Sequence, residues 1–163
     1  MLNLLDIVYE YQRLFHRERS LDIPLDPTER ARFRGLERLL DGDYLEAASA
    51  SRHRQARGTV SLPVQFTLPG GFGSGEIRNL SAGGMSVATS TPAKIGTRTI
   101  LRVTNPSRGF EYVFPGRVVW AGGRVMGIGF DGLPSRAPFL MPPPYSWRGQ
   151  LRFGPQRTRP LVA

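Results

Sequence analysis

Asn79, Ser81 and Gly84 fall in the run Asn79-Leu80-Ser81-Ala82-Gly83-Gly84, downstream of an arginine cluster at Arg52, Arg54 and Arg57. A carboxamide and a hydroxyl offer short, directional hydrogen bonds. A glycine lets a backbone or a ligand come close. Arginine supplies a flat cation that pairs with phosphate or lies over a purine. Together these residue types suit a phosphorylated guanine ligand, and a receptor rather than a catalyst. A plainer reading stands beside this one. Asn79 and Ser81 could organise a strand turn through side-chain to backbone bonds. Gly84 could serve only a positive-φ geometry, and the arginines could be a solvated basic run.

Catalytic patterns are missing. The chain has no phosphate-binding glycine loop followed by lysine and no Gly-x-Ser-x-Gly elbow. Its two histidines, His16 and His53, make neither a metal cluster nor a triad. Glu76, Glu111 and Asp131 form no evident carboxylate pair. No enzyme activity, catalytic residue, metal or cofactor is therefore expected. Cysteine is absent, which excludes disulfides and thiolate zinc sites. The opening residues Met1 to Asp6 carry an early acid and no basic leader, and no apolar run approaches membrane-spanning length. A cytoplasmic protein without a membrane span is the expectation.

The elements that must position these residues divide the 163-residue chain unevenly in charge. Residues 1–50 carry 10 acids and 7 bases, whereas residues 51–163 carry 15 bases and 3 acids. This split suggests segments with different partners. Leu4, Val8, Tyr11 and Phe15 recur at helical spacing, which predicts a helix over 2–19. Asp26-Pro27-Thr28-Glu29 reads as the start of a second helix, with Asp26 capping and Glu29 reaching back. Phe33, Leu36, Leu40 and Tyr44 form its apolar face, and Asp41-Gly42 ends or interrupts it. Residues 1–47 thus form a helical hairpin, for packing, docking or dimerisation. Residues 48–58 are a linker with the basic loop.

From Thr59 the period changes to two. Strands are expected near 59–68, 76–80, 85–88, 98–103, 112–120 and 124–130. Pro63 implies an edge or bulge. Gly70 to Gly75 reads as a connector, and Asn105-Pro106-Ser107-Arg108-Gly109 as a hairpin turn. Six short strands over 59–132 imply a mainly β fold, a small antiparallel barrel or sandwich. Residues 133–163 form a Pro- and Arg-rich tail in which Phe139, Tyr145 and Trp147 could dock on the barrel.

Residues 52–131 resemble a PilZ domain, the bacterial receptor module for cyclic di-GMP. The matching blocks are Arg57-Gly58-Thr59-Val60-Ser61-Leu62-Pro63-Val64, Asn79-x-Ser81-x-x-Gly84, and Gly116-Arg117-Val118-Val119-Trp120 followed by Gly127-Ile128-Gly129-Phe130. The resemblance implies a six-stranded antiparallel barrel, with ligand bound where the arginine loop meets the Asn79 segment. It assigns ligand contacts to Arg52, His53, Arg54, Arg57, Asn79, Ser81 and Gly84. One position departs. The family's first motif has two arginines separated by three residues. Aligned through Leu62-Pro63-Val64, the second is Arg57 and the first falls on His53, flanked by Arg52 and Arg54.

The expected function is a non-enzymatic signalling effector. It binds cyclic di-GMP and acts on an unidentified protein partner through its N-terminal helices or C-terminal tail, as a monomer or a homodimer. Family outputs include motility, polarity and surface polysaccharide. The alternative is a degenerate scaffold that binds no cyclic di-GMP and works through protein contacts. A basic nucleic-acid-binding barrel is a third reading. It ranks behind the others because Phe66, Trp120 and Phe130 fall at alternating core positions rather than on a stacking face.

Overall fold

A computed structural model describes residues 4–50 and 58–139, with backbone alone at 41–50 and 58–60. Two helices, α1 (Leu4–Arg19) and α2 (Pro27–Ala50), precede the strands. A reciprocal capping box starts α2. Asp26 Oδ1 accepts from the Glu29 amide at 2.8 Å, and Glu29 Oε2 accepts from the Asp26 amide at 3.3 Å. Such a cap contributes about 0.5–2 kcal/mol. Asp41-Gly42 does not end the helix, which continues to Ala50 and into the segment read as a linker. Leu14, Leu25, Phe33 and Leu36 are buried between the helices. Tyr11 stacks on Phe33 at 5.3 Å.

Seven antiparallel strands follow: β1 (Gly58–Leu68), β2 (Gly71–Ser81), β3 (Gly84–Ala88), β4 (Arg98–Asn105), β5 (Phe110–Gly122), β6 (Val125–Phe130) and β7 (Ser135–Pro138). Their order is β4-β1-β2-β3-β6-β5-β7, and β4 also pairs with β5. The first six therefore close into the expected barrel, which removes its sheet edges. The barrel is filled by Val64, Phe66, Ile77, Leu101, Phe114 and Ile128, among others. From the N-terminal half of α1, Leu5 and Val8 enter the same core, each fully buried. The hairpin thus packs on the barrel. Docking to a partner is a separate matter.

One strand expectation needs correction. Residues 71–75 belong to β2 rather than to a connector. Two of their glycines make room for neighbours, since a Cβ on Gly73 would lie 2.3 Å from the Phe66 ring and one on Gly75 2.3 Å from the Ala88 carbonyl oxygen. Pro63 follows a bulge and sits just outside the β4 ladder, which begins at Val64. β1 is flanked by β2 and β4, and its register with β2 shifts between Thr59 and Leu62.

The segment read as tail supplies β7, which pairs with β5 from Phe110↔Pro138 to Val113↔Ser135. The Phe139 amide then donates to the Gly109 carbonyl at 2.7 Å. Tyr145 and Trp147 lie outside the described residues. One carboxylate on α1 gathers this end of the molecule. Asp6 accepts from the Tyr112 hydroxyl, and pairs with Arg136 at 3.4 Å and Arg108 at 3.8 Å. The Arg136 guanidinium also lies 5.1 Å from the Tyr9 ring centre and 4.6 Å from that of Phe110.

Burial, then the Asp6 contact, pushes the Tyr112 phenol up to about 12. The unfolded chain releases this proton near pH 10 while the native state holds it. Its contribution to stability is whole below pH 10 and lost as pH rises from there toward 12. Tyr112→Phe should flatten that alkaline limb in a denaturant-melt series against pH. It should also cost about 1 kcal/mol at pH 7 through the lost Asp6 bond. An alkaline limb identical in both proteins would show that Tyr112 does not carry it.

Candidate functional site

Two bulges decide what faces outward on one side of the barrel. In β2, Ile77 pairs with Val87 and Asn79 with Ser86, so Arg78 is the extra residue. Ile77 and Leu80, three apart, both point into the core. Asn79 and Ser81 flank Leu80 and face out. In β5, Val118 pairs with Ile128 and Trp120 with Gly127, so Val119 is the extra residue. Strict alternation from Tyr112, Phe114 and Val118 would have put Trp120 inside. The bulge reverses that parity, as bulges do, and Trp120 is 41% exposed. The expected core placement of Trp120 is therefore wrong. Phe66 and Phe130 do pack on the core.

Register then aligns two rows across four strands. The first runs Asn79, Ser86, Gly127, Trp120, and the second Ser81, Gly84, Gly129, Arg117. Apart from Arg117, they line a surface slot of about 160 Å³, floored by glycine backbone and walled by Val119 and Trp120 on one side and Asn79 and Ser81 on the other. The floor needs glycine for close approach. A Cβ on Gly127 would sit 1.9 Å from Trp120 Nε1, and one on Gly84 would sit 2.2 Å from the Ile128 carbonyl oxygen. Gly84 does not have a positive φ, so the alternative reading of that glycine does not hold.

The polar wall is already ordered. Asn79 Nδ2 donates to Ser86 Oγ at 3.1 Å, and Ser81 Oγ donates to the Gly84 carbonyl at 3.1 Å. Asn79 keeps its carbonyl oxygen as an acceptor, and Ser81 keeps lone pairs. The arginines on or beside these rows are already matched to carboxylates, Arg78 to Glu76 at 3.5 Å and Arg117 to Asp131 at 3.6 Å. Any further cation for an anionic ligand must come from elsewhere. Arg52, His53, Arg54 and Arg57 lie outside the described residues. The register nonetheless fixes where their segment joins the barrel, because Gly58 pairs with Leu80 and Thr59 with Asn79.

From behind, α1 touches the same turn. Buried Gln12 donates through Nε2 to the Ala82 carbonyl. Its Oε1, and Nε2 of buried His16 one turn later, have no partner among the described residues. Burial holds the His16 imidazole below its ordinary value, against an upward pull from Asp131. His16 Nδ1 meets Ser20 Oγ at 2.9 Å. Sequence reasoning missed Gln12 because a lone glutamine on an amphipathic helix has no signature. It missed the outward face of Trp120 because a bulge leaves no mark in a period-two pattern. Among the described residues no group of three metal-ligating side chains occurs, and no helix is long and apolar enough to cross a membrane.

Gly84→Ala should cost about 1–3 kcal/mol, as overpacking against backbone does, and lower the melting temperature. A Cβ on Gly83 would meet nothing within 4 Å, so Gly83→Ala should melt within about 0.5 kcal/mol of the parent. Equal melts for the two variants would refute the close-approach reading of Gly84.

No curated protein matches the chain. Among solved structures, the chain is similar to the PilZ domain of CeSA from a cellulose-synthesizing bacterium, at 26% identity and a TM-score of 0.41, over 46% of this chain and 79% of that one. The family model for the PilZ domain matches residues 51–138, just over half of the chain. With that match across the barrel and both of its motif segments, the chain belongs to the PilZ family.

Proposed function

We propose that this protein is a non-enzymatic signalling effector that binds cyclic di-GMP in the glycine-floored slot. The observation that supports this most is the register. Gly58 and Thr59 pair with Leu80 and Asn79, and Arg57 is one Cα step, about 3.8 Å, from Gly58. On this reading the cationic segment would enter beside the polar wall of the slot. Arg57, with Arg52 or Arg54, would take phosphate and guanine edges. Asn79 and Ser81 would read polar edges of the base. Trp120, whose indole lies over Gly127, would offer its exposed face as a stacking wall, while Gly84 and Gly129 would keep the floor between the walls free of side chains. A bidentate arginine–guanine contact is worth about 1–3 kcal/mol, and base stacking on an aromatic about the same. Ligand occupancy would be passed to a protein partner, with the helices or the tail as the element displayed.

A second reading has a specific observation in its favour. His53 stands where the family's first arginine would be, and neutral imidazole cannot replace guanidinium. On that reading the barrel is a scaffold that works through protein contacts and leaves the slot empty.

Calorimetric titration with cyclic di-GMP separates the two. The first reading expects saturable heat. Trp120→Ala should weaken binding roughly 10- to 100-fold. Arg57→Ala should abolish it with the thermal melt nearly unchanged, and His53→Arg should tighten it. No heat from the parent protein at high ligand concentration would establish the scaffold reading. Unaltered affinity in Trp120→Ala would remove the stacking wall.

A further inference from the structure

Resting on the slot as a ligand site, we propose that Gln12 is a positioning residue through which helix α1 and the slot share one conformational equilibrium. Three successive carbonyls of the turn lining the slot are each taken by a different element. Ala82 accepts from Gln12 of α1, Gly83 accepts from the Phe130 amide of β6 at 2.9 Å, and Gly84 accepts from Ser81 Oγ of β2. The last two come from strands of the barrel wall itself. The Gln12 bond alone reaches the turn from a helix, so it can be lost without opening a strand ladder.

Gln12 is also a poor choice for mere packing. It is 4% exposed, and its Oε1 is unpaired among the described residues. An apolar side chain of the same length would avoid that buried acceptor. What glutamine adds is the donor aimed at Ala82. Because linkage is reciprocal, to the extent that a ligand shifts α1 through this bond, a partner that grips α1 changes ligand affinity by the same factor.

Gln12→Met keeps the length and removes both the donor and the orphan acceptor. Hydrogen exchange on ligand-free protein should then show protection at residues 81–84 falling about two- to tenfold, with the global melt unchanged or raised. Gln12→Glu is the second variant. Its carboxylate cannot donate but its protonated acid can, so protection, corrected for intrinsic rates, should recover as pH is lowered. In the parent protein, cyclic di-GMP should alter exchange across α1, and Gln12→Met should bind the ligand without transmitting that change. Equal protection at 81–84 in parent and Gln12→Met, or loss only in proportion to the global melt, would overturn the role of Gln12. A parent protein silent toward cyclic di-GMP would overturn the ligand reading instead, because the ligand-free comparison decides Gln12 by itself.

Discussion

Closing six strands into a small barrel forces local departures from regular pleating, and here those departures choose the outward face. The extra residues Arg78 in β2 and Val119 in β5 each reverse the in–out parity of everything beyond them. Without the first, Asn79 and Ser81 would compete with Ile77 and Leu80 for the interior. Without the second, the Trp120 indole would have to fit among Phe114, Val118 and Ile128. The two bulges lie on strands separated by β3 and β6. The outward groups they create are spaced by three interstrand steps, about 14 Å along the sheet. Glycine fills most of the space between them, so the interval is a slot rather than a ridge.

That geometry has an electrostatic consequence. The backbone floor offers little charge, and the arginines in or beside its rows, Arg78 and Arg117, stand against Glu76 and Asp131. Exposed pairs of this kind contribute about 0–1 kcal/mol each, so they are cheaply rearranged, but each arginine brings its own acid. A polyanion gains little net attraction from them. The uncompensated positive charge of this half of the chain lies largely in the arginines of 51–57 and of the segment after Asp131. For the anionic ligand proposed above, the point at which Gly58 pairs with Leu80 would therefore matter more than any single side chain of the slot.

Much of the architecture was legible because it rests on local signals. The Asp26/Glu29 capping box, the Asn105–Gly109 turn and the alternation of Val64 with Phe66 each follow from nearest-neighbour chemistry, and each appears in the structure. The polar half of the slot was legible for the same reason, because Asn79, Ser81 and Gly84 are close in sequence. The aromatic half was not. Trp120 comes to Asn79 only through a four-strand row whose register depends on two bulges. Gly71 to Gly75 misled in the opposite direction. Glycine that makes room for Phe66 looks, in a sequence, like glycine that makes a turn. The strand β7 was missed because tertiary contact, not propensity, sustains it. Ser135–Pro138 has little intrinsic strand character, yet it is held by β5 and by Arg136 between Tyr9 and Phe110.

The forces on α1 differ in size. Burying Leu5 and Val8 in the barrel contributes about 1.5–3 kcal/mol each. The ion pairs of Asp6 with Arg108 and Arg136 are partly exposed and weaker. The bond from Gln12 to Ala82 is a single neutral contact worth about 1 kcal/mol net. The apolar anchors therefore keep the helix on the barrel whether or not the Gln12 bond is made. A contact of that size can be exchanged by a ligand that shifts the turn, whereas the anchors cannot. A helix held firmly at one end and lightly at the slot can change its angle without leaving. Since α2 packs on α1 through Leu14, Leu25, Phe33 and Leu36, a small tilt at Gln12 would be carried to the longer helix.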